Sequence, residues 1–175
     1  PANPPLAKDS VNFVGEPIAV VFAESLDEAK AAADQVKVDY KILKGVINTA
    51  DAMKSESIHE GIDKNLCYDW LLGDRKAVDE AFSKADKIIK VDLINNRLVP
   101  NAMEPRACVV DYNTASEEIT LYTTSQNPHL SRLIMSAFGG VAPENKLRVV
   151  APDVGGGFGS KINVYNEEIV CSWAS

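Results

Sequence analysis

Gly155-Gly156-Gly157-Phe158-Gly159-Ser160-Lys161 constrains this chain more than any other stretch, because four glycines in five residues follow a strand-like run, Leu147-Arg148-Val149-Val150, and precede an expected helix. Strand, glycine loop, helix is an arrangement that cradles an anion. Glycines without Cβ let backbone N–H groups approach a ligand, and a helix start adds unpaired donors and a positive dipole end. A phosphate-binding P-loop needs Gly-Lys-Ser/Thr, but Lys161 follows Ser160 and precedes Ile162. The dinucleotide fingerprint needs a third glycine where Ser160 stands, and a ribose-binding acid about 20 residues later would fall beyond Ser175. The bland alternative is a tight turn whose glycines only permit close helix-strand packing. Glycines this dense, around a single aromatic, favour a ligand.

The 175 residues suffice for one ordinary domain, or one domain and part of another. The chain starts at Pro1 without a methionine and stops at Ser175 inside the apolar run Ile169-Val170-Cys171-Ser172-Trp173-Ala174, which suggests a piece of a longer protein. A net charge of -7 argues against a nucleic-acid or anionic-membrane surface. No apolar run approaches the roughly 20 residues of a membrane span, and a cytoplasmic location is expected. Cys67, Cys108 and Cys171 lie far apart, without Cys-x-x-Cys spacing. They support neither a disulfide framework nor a zinc or iron-sulfur site, and are expected to be free thiols.

Pro17 to Phe22 reads as a buried strand, and Ser25-x-x-Glu28 is the capping box of a helix bearing Leu26, Ala29, Ala33 and Val36 on one face. Val36 to Tyr40 alternates like a second strand. Periodicity is lost from Gly45 to Gly73, the mark of a linker. Asp74 is placed to cap a second helix striped with Ala77, Val78, Ala81 and Phe82, ahead of a strand from Ile88 to Leu93. Ala107 to Tyr112 and Glu118 to Thr123, joined by Asn113-Thr114-Ala115-Ser116, predict a hairpin. Pro128 suits the first turn of a helix carrying Leu130, Leu133, Ile134 and Phe138, which Gly139-Gly140 ends. The architecture is α+β in two unequal parts: residues 1–45, a linker at 46–73, and residues 74–175.

Gln126 occupies the same place as the glycine loop, just after a strand and just before a helix, so the two junctions are candidates to face one pocket. Its neutral amide can donate to a ligand oxygen without adding charge. A helix-capping or backbone-bonding role is an even alternative. His129 has no ligating neighbour and is assigned no role.

Three motifs together carry a family resemblance: Ala102-Met103-Glu104-Pro105-Arg106, Thr124-Ser125-Gln126-Asn127-Pro128-His129 and Val154-Gly155-Gly156-Gly157-Phe158-Gly159-Ser160-Lys161. In this order they resemble the large subunit of molybdenum hydroxylases, the xanthine dehydrogenase, aldehyde oxidase and aerobic carbon monoxide dehydrogenase family. Phe13 to Val21 with Ala29 to Tyr40 is similar to the latter part of that family's α/β hammerhead domain. The resemblance implies that residues 1–45 belong to the hammerhead and 74–175 to the first part of a mixed α/β molybdopterin-binding domain.

By the same resemblance Gln126 hydrogen-bonds an oxo ligand of molybdenum, and Gly156, Gly157, Phe158 and Gly159 line the metal and its pterin. No side chain is expected to ligate the metal, because the pterin dithiolene supplies the sulfur ligands. The implied cofactor is a molybdenum-pterin, with the cytosine dinucleotide form as one option. The implied partners are the remainder of the large subunit and flavin-containing medium and iron-sulfur small subunits. The implied activity is hydroxylation or oxidation of a small carbonyl, aromatic or one-carbon substrate with water as the oxygen source. Purine-hydroxylating members carry a glutamate where Ile162 stands, which leans away from a purine.

The family's general-base glutamate belongs to a later region, so Glu104, Glu167 and Glu168 are not promoted to that role, and the 175-residue chain alone is expected to be inactive. Lys161→Ala should be milder than Gly157→Val if backbone donors carry the loop, and severe if the lysine grips a phosphate. The alternatives are a non-catalytic binding or assembly module with this fold, and an unrelated nucleotide-binding α/β domain.

Overall fold

A sheet forms where the alternating pattern finds a partner. In this computed structural model, which describes residues 4–175, the hairpin consists of β1 (Cys108–Asn113) and β2 (Glu118–Thr123), antiparallel with Cys108 opposite Thr123. Its turn is built by the Asn113 side chain, whose Oδ1 accepts from the N–H groups of Ala115 at 3.0 Å and Ser116 at 3.1 Å. The chain leaves β2 through helix α3 (Pro128–Ala137) and returns as β3 (Leu147–Val150), parallel to β2. The sheet order is β1-β2-β3, with β2 in the middle.

Pro128 sits in the first turn of α3, where a missing N–H costs nothing. Ser125 accepts from the N–H of Asn127 at 3.1 Å and is bonded to the buried hydroxyl of Ser131 at 3.2 Å, so the turn into α3 is fixed from inside. Beyond the helix Gly140 takes a φ of +61°, the left-handed conformation of a C-terminal stop. Helix α4 (Asn166–Ala174) packs on β1 and β2 and contains the apolar run at the end of the sequence. Its residue Glu168 is buried, accepts from the backbone N–H of Tyr165 at 2.8 Å and takes a hydrogen bond from the hydroxyl of Thr123. Ile119, Leu121, Met135 and Leu147 form the buried core, and Ile119, Leu121 and Thr123 alternate onto one face of β2 as a half-buried strand requires.

The described chain divides into two compact units, one running Tyr40–Leu98 and the other made of the chain up to Asp39 together with Val99–Ser175. Helix α1 (Leu26–Ala33) starts at the expected cap, with Ser25 Oγ accepting from the N–H of Glu28 at 3.3 Å. In the other unit α2 (Arg75–Ser83) is capped by Asp74, whose Oδ1 accepts from Ala77 N–H at 3.0 Å. The aperiodic stretch before it contains 3-10 turns at Thr49–Lys54 and Asp63–Asn65. Asn65 ties them together: its Oδ1 accepts from Ile58 at 2.8 Å while its Nδ2 donates to the carbonyls of Ala52 and Glu56, each at 2.9 Å. No helix among the described residues is long and apolar enough to cross a membrane.

Three expected strands, Pro17 to Phe22, Val36 to Tyr40 and Ile88 to Leu93, are not strands in this structure. Each lacks a ladder partner among the described residues, and Ile89, Val91 and Leu93 lie exposed. Alternation states which side chains a strand would bury. A strand exists only when a neighbour satisfies its N–H and C=O groups, and these runs find none.

Leu121 has no exposed surface at the centre of the core. Leu121→Ala is expected to lower the unfolding free energy by about 2–5 kcal/mol, measured by urea denaturation followed by circular dichroism. A loss well under that range would mean that the core closes over the cavity.

Candidate functional site

Because β2 and β3 run parallel, the segments that leave their C-terminal ends emerge on the same side of the sheet, the usual place for a ligand in an α/β unit. After β2 come Thr124-Ser125-Gln126; after β3 comes the glycine loop. The structure brings the two junctions into direct contact. Gln126 donates its backbone N–H to the carbonyl of Lys161 at 2.8 Å, and its side-chain Oε1 accepts from the N–H groups of Gly159 at 3.0 Å and Lys161 at 3.3 Å. Two donors on one atom determine which end of the amide is oxygen. The Nε2 group, with its two hydrogens, is therefore left for another acceptor on this exposed residue.

The loop does not run straight into a helix as expected: α4 begins only at Asn166. Instead the loop turns on itself, with Ser160 N–H bonded to the carbonyl of Gly157 at 2.9 Å, and the hydroxyl of Tyr165 bonded to the carbonyl of Ser160. Its donors are thus those of a folded turn rather than of a helix N-terminus. Most of them are already satisfied. Among the described residues, the N–H groups of Gly157 and Phe158 are the two in the loop without a hydrogen-bond partner.

The four glycines serve different ends. Gly156 and Gly159 hold φ of +97° and +89°, and Phe158 adopts +51° between them despite its side chain, which projects with 76% of its surface exposed. Gly157 is needed for space instead. A Cβ there would lie 2.6 Å from Gln126 Cδ and 2.8 Å from Cγ, so the glycine makes room for the amide to lie against the loop. At Gly155 a Cβ would sit 2.6 Å from the Cβ of Glu104.

Lys161 is the clearest departure from expectation. Only 2% exposed, it donates through Nζ to the carbonyl of Glu104 at 2.8 Å and to Glu104 Oε2 at 3.1 Å. The same Oε2 accepts from Gly155 N–H at 2.7 Å. A buried charge is tolerable only when paired in this way, so Lys161 is committed inside the protein and is unavailable to grip a phosphate. Lys161→Ala would remove the cation that Glu104 pairs with, so a severe effect would not by itself point to phosphate binding. The N–H of Gly155, and after it the ammonium of Lys161, hold the Glu104 carboxyl below its ordinary value of 4.5.

Neither periodicity nor spacing pointed to Glu104 in this role; only its place in the Ala102-to-Arg106 motif set it apart. The same holds for Arg106, whose guanidinium stacks 3.5 Å from the ring centroid of Tyr165 and pairs with Glu167 at 2.9 Å. Arg106, Tyr165 and Glu167 border a small cleft that Cys108, Thr123, Lys161 and Asn163 also line and Gln126 does not. Burial, and then the neighbouring Cys171, push the Cys108 thiol up to about 12, so it stays protonated and is no nucleophile. Among the described residues no group of three or more His, Cys, Asp or Glu is placed to hold a metal ion.

Residues 58–175 match the molybdopterin cofactor-binding domain, and residues 1–44 match the aldehyde oxidase and xanthine dehydrogenase a/b hammerhead domain. The chain belongs to the molybdenum hydroxylase large-subunit family. Carbon monoxide dehydrogenase large chain of Hydrogenophaga pseudoflava is 33% identical over 174 residues, covering 91% of this chain and 22% of its own. Nicotine 6-hydroxylase large subunit of Paenarthrobacter nicotinovorans is 34% identical, covering 98% of this chain and 21% of its own. Among solved structures, a Cu,Mo-CO dehydrogenase in its carbon monoxide reduced state superposes with a TM-score of 0.86 at 31% identity, over 97% of this chain and 23% of that one. Quinoline 2-oxidoreductase from Pseudomonas putida 86 superposes at 0.80 with 29% identity, over 96% and 21%. The chain spans between a fifth and a quarter of the length of these family members.

The clamp on the glycine loop sets two expectations for this molybdenum hydroxylase chain. A methyl group at Gly157→Ala displaces the Gln126 amide, which speeds hydrogen exchange at Gly159 and Lys161, whereas Ser160→Ala leaves both amides protected; equal exchange in the two variants would refute the packing described. The depressed Glu104 carboxyl stabilises the fold fully above its ordinary value of 4.5, and that contribution disappears as pH falls through the lower folded value. The stability gap between wild type and Glu104→Gln, read from denaturant unfolding, should accordingly be constant at neutral pH and close in acid.

Proposed function

We propose that this chain contributes the Gln126 and glycine-loop wall of a molybdenum-pterin site in an oxidoreductase that hydroxylates or oxidises a small carbonyl, aromatic or one-carbon substrate. The observation that carries this is the amide itself: two loop N–H groups hold Gln126 Oε1, and Nε2 has no acceptor among the described residues. Membership of the molybdopterin-binding family supports the nature of the group that would meet it.

The residues fit such a group. The unpartnered donors, Gln126 Nε2 and the N–H groups of Gly157 and Phe158, belong to a loop and to an amide lying against it, and all are neutral. Neutral, preoriented donors suit an electron-rich cofactor that changes charge during turnover, because they stabilise negative charge without reorganising or carrying a counter-charge of their own. Gln126 would donate to the cofactor, and Gly157 and Phe158 would bind it through their backbone. Gly156 and Gly159 would allow the loop its left-handed turns, and the absence of a Cβ at Gly157 would keep the amide close. When bound, the molybdenum-pterin group supplies the two-electron oxidation, with water as the source of oxygen.

The same proposal includes, on the strength of family membership, a cytosine dinucleotide form of the pterin and flavin and iron-sulfur partner subunits. It also includes a cytoplasmic location. Relatives named as large chains or large subunits support a multi-subunit assembly. Ile162, which stands where purine-hydroxylating members carry a glutamate, supports a substrate other than a purine.

The test is made on the full-length protein. Molybdenum and pterin should copurify with it, and turnover should be measurable with an aldehyde, carbon monoxide or an N-heterocycle and a dye acceptor. Gln126→Ala should then lower turnover on the order of 10² to 10³, the usual cost of one oriented donor, at normal molybdenum content. Wild-type kinetics in that loaded variant would reduce Gln126 to a packing residue.

A further inference from the structure

The amide of Gln126 owes its direction to hydrogen bonds with the glycine loop. It is exposed, and its side-chain hydrogen bonds go to backbone N–H groups of the glycine loop. It therefore points wherever that loop points. A stretch with four glycines in five residues has more backbone freedom to lose than any other of its length, so something must hold it. Both of its ends are held by one residue. At the first end Gly155 donates to Glu104 Oε2 at 2.7 Å and accepts from the N–H of Glu104 at 3.2 Å. At the other end Lys161 reaches the same Oε2 at 3.1 Å and the carbonyl of Glu104 at 2.8 Å.

Lys161 also closes the circuit to Gln126. Its carbonyl takes the backbone N–H of Gln126, and its N–H goes to Gln126 Oε1. One buried residue thus touches the carboxylate that fixes the loop and both the backbone and the side chain of the glutamine. An ion pair with its ammonium enclosed and its carboxylate part-exposed is a poor way to gain stability, since taking the charge out of water offsets most of the attraction. Its value lies in geometry: a carboxylate that accepts from a specific N–H and a specific ammonium admits few alternative arrangements.

We propose that Glu104 and Lys161 are positioning residues that aim the Gln126 amide, clamping both ends of the glycine loop on one carboxylate so that Nε2 is presented in a single orientation. The inference rests on the molybdopterin reading of this site. It adds a support outside the set of groups that meet the cofactor, and such supports typically change activity by on the order of 10- to 100-fold when removed.

The experiment uses the full-length subunit assembled with its partners, as wild type, Glu104→Gln, Gln126→Ala and the double variant. Three quantities are read: molybdenum and pterin content, amide hydrogen exchange at Gly159 and Lys161, and kcat with KM on an aldehyde, carbon monoxide and an N-heterocycle. Glu104→Gln is expected to leave the amides of β2 and β3 protected while exchange at Gly159 and Lys161 accelerates. Its kcat should fall about 10- to 100-fold with KM little changed. In the Gln126→Ala background the same substitution should cost little more, because a residue that acts through the amide has nothing left to aim.

Unaltered exchange at Gly159 and Lys161 in Glu104→Gln overturns the proposal. So does a cost that is fully additive with Gln126→Ala, or loss of β2 and β3 protection, which would make the pair a support of the fold rather than of the amide. Wild-type protein without molybdenum and pterin would sink the proposed function instead, and the exchange comparison, which needs no cofactor, would still decide on the clamp.

Discussion

The candidate site depends on a lysine that cannot reach water. Lys161 lies at the end of the glycine loop with its ammonium turned inward, and it is held there by the carbonyl and the carboxylate of Glu104. Once that charge is enclosed, its partners are no longer optional. An unpaired ammonium in the interior is costly, so the carbonyl and the carboxylate of Glu104 both take its hydrogen bonds, and Gly155 has no side chain where Glu104 Cβ passes. The ammonium fixes Glu104 and through it Gly155, while the backbone of the same lysine meets Gln126, which also holds Gly159.

The sheet provides the platform. Parallel pairing of β2 with β3 across α3 carries two segments distant in sequence to one edge, where Gln126 meets Gly159 and Lys161. Behind that edge, Ser125 and Ser131 bond to each other under the turn into α3, and Glu168 of α4 takes a hydrogen bond from Thr123 at the end of β2. Polar groups that are fully satisfied make a stiff support, because each alternative arrangement leaves some of them unpaired. The exposed Phe158 and Gln126 therefore stand on a rigid base although the residues around them are mostly glycine.

Elements with local signals are legible in the order of residues alone. Ser25 and Asp74 cap their helices, Asn113 builds the hairpin turn, Pro128 opens α3, and each acts within a few residues of its own position. The runs at Pro17 to Phe22, Val36 to Tyr40 and Ile88 to Leu93 carry equally good strand patterns and remain unpaired, because the second half of a strand is its neighbour. For the candidate site the contrast is similar. Density of glycine singled out the loop, but the reason for each glycine differs: left-handed backbone at Gly156 and Gly159, closeness to the Gln126 amide at Gly157, and closeness to Glu104 at Gly155.

By itself the sequence determined the kinds of group that would matter: an amide after one strand, a glycine loop after another, and an ordered set of motifs shared with the molybdenum hydroxylases. Those properties belong to residue types and to their order along the chain. Only the tertiary structure decided that Lys161 faces inward rather than toward a ligand, that Glu104 binds both ends of the loop, and which end of the Gln126 amide is left free. Glu104 and Gly155 are separated by 51 positions and Gln126 and Lys161 by 35. Contacts over such distances are set by how the sheet pairs and what it encloses, and no local pattern of residues records them.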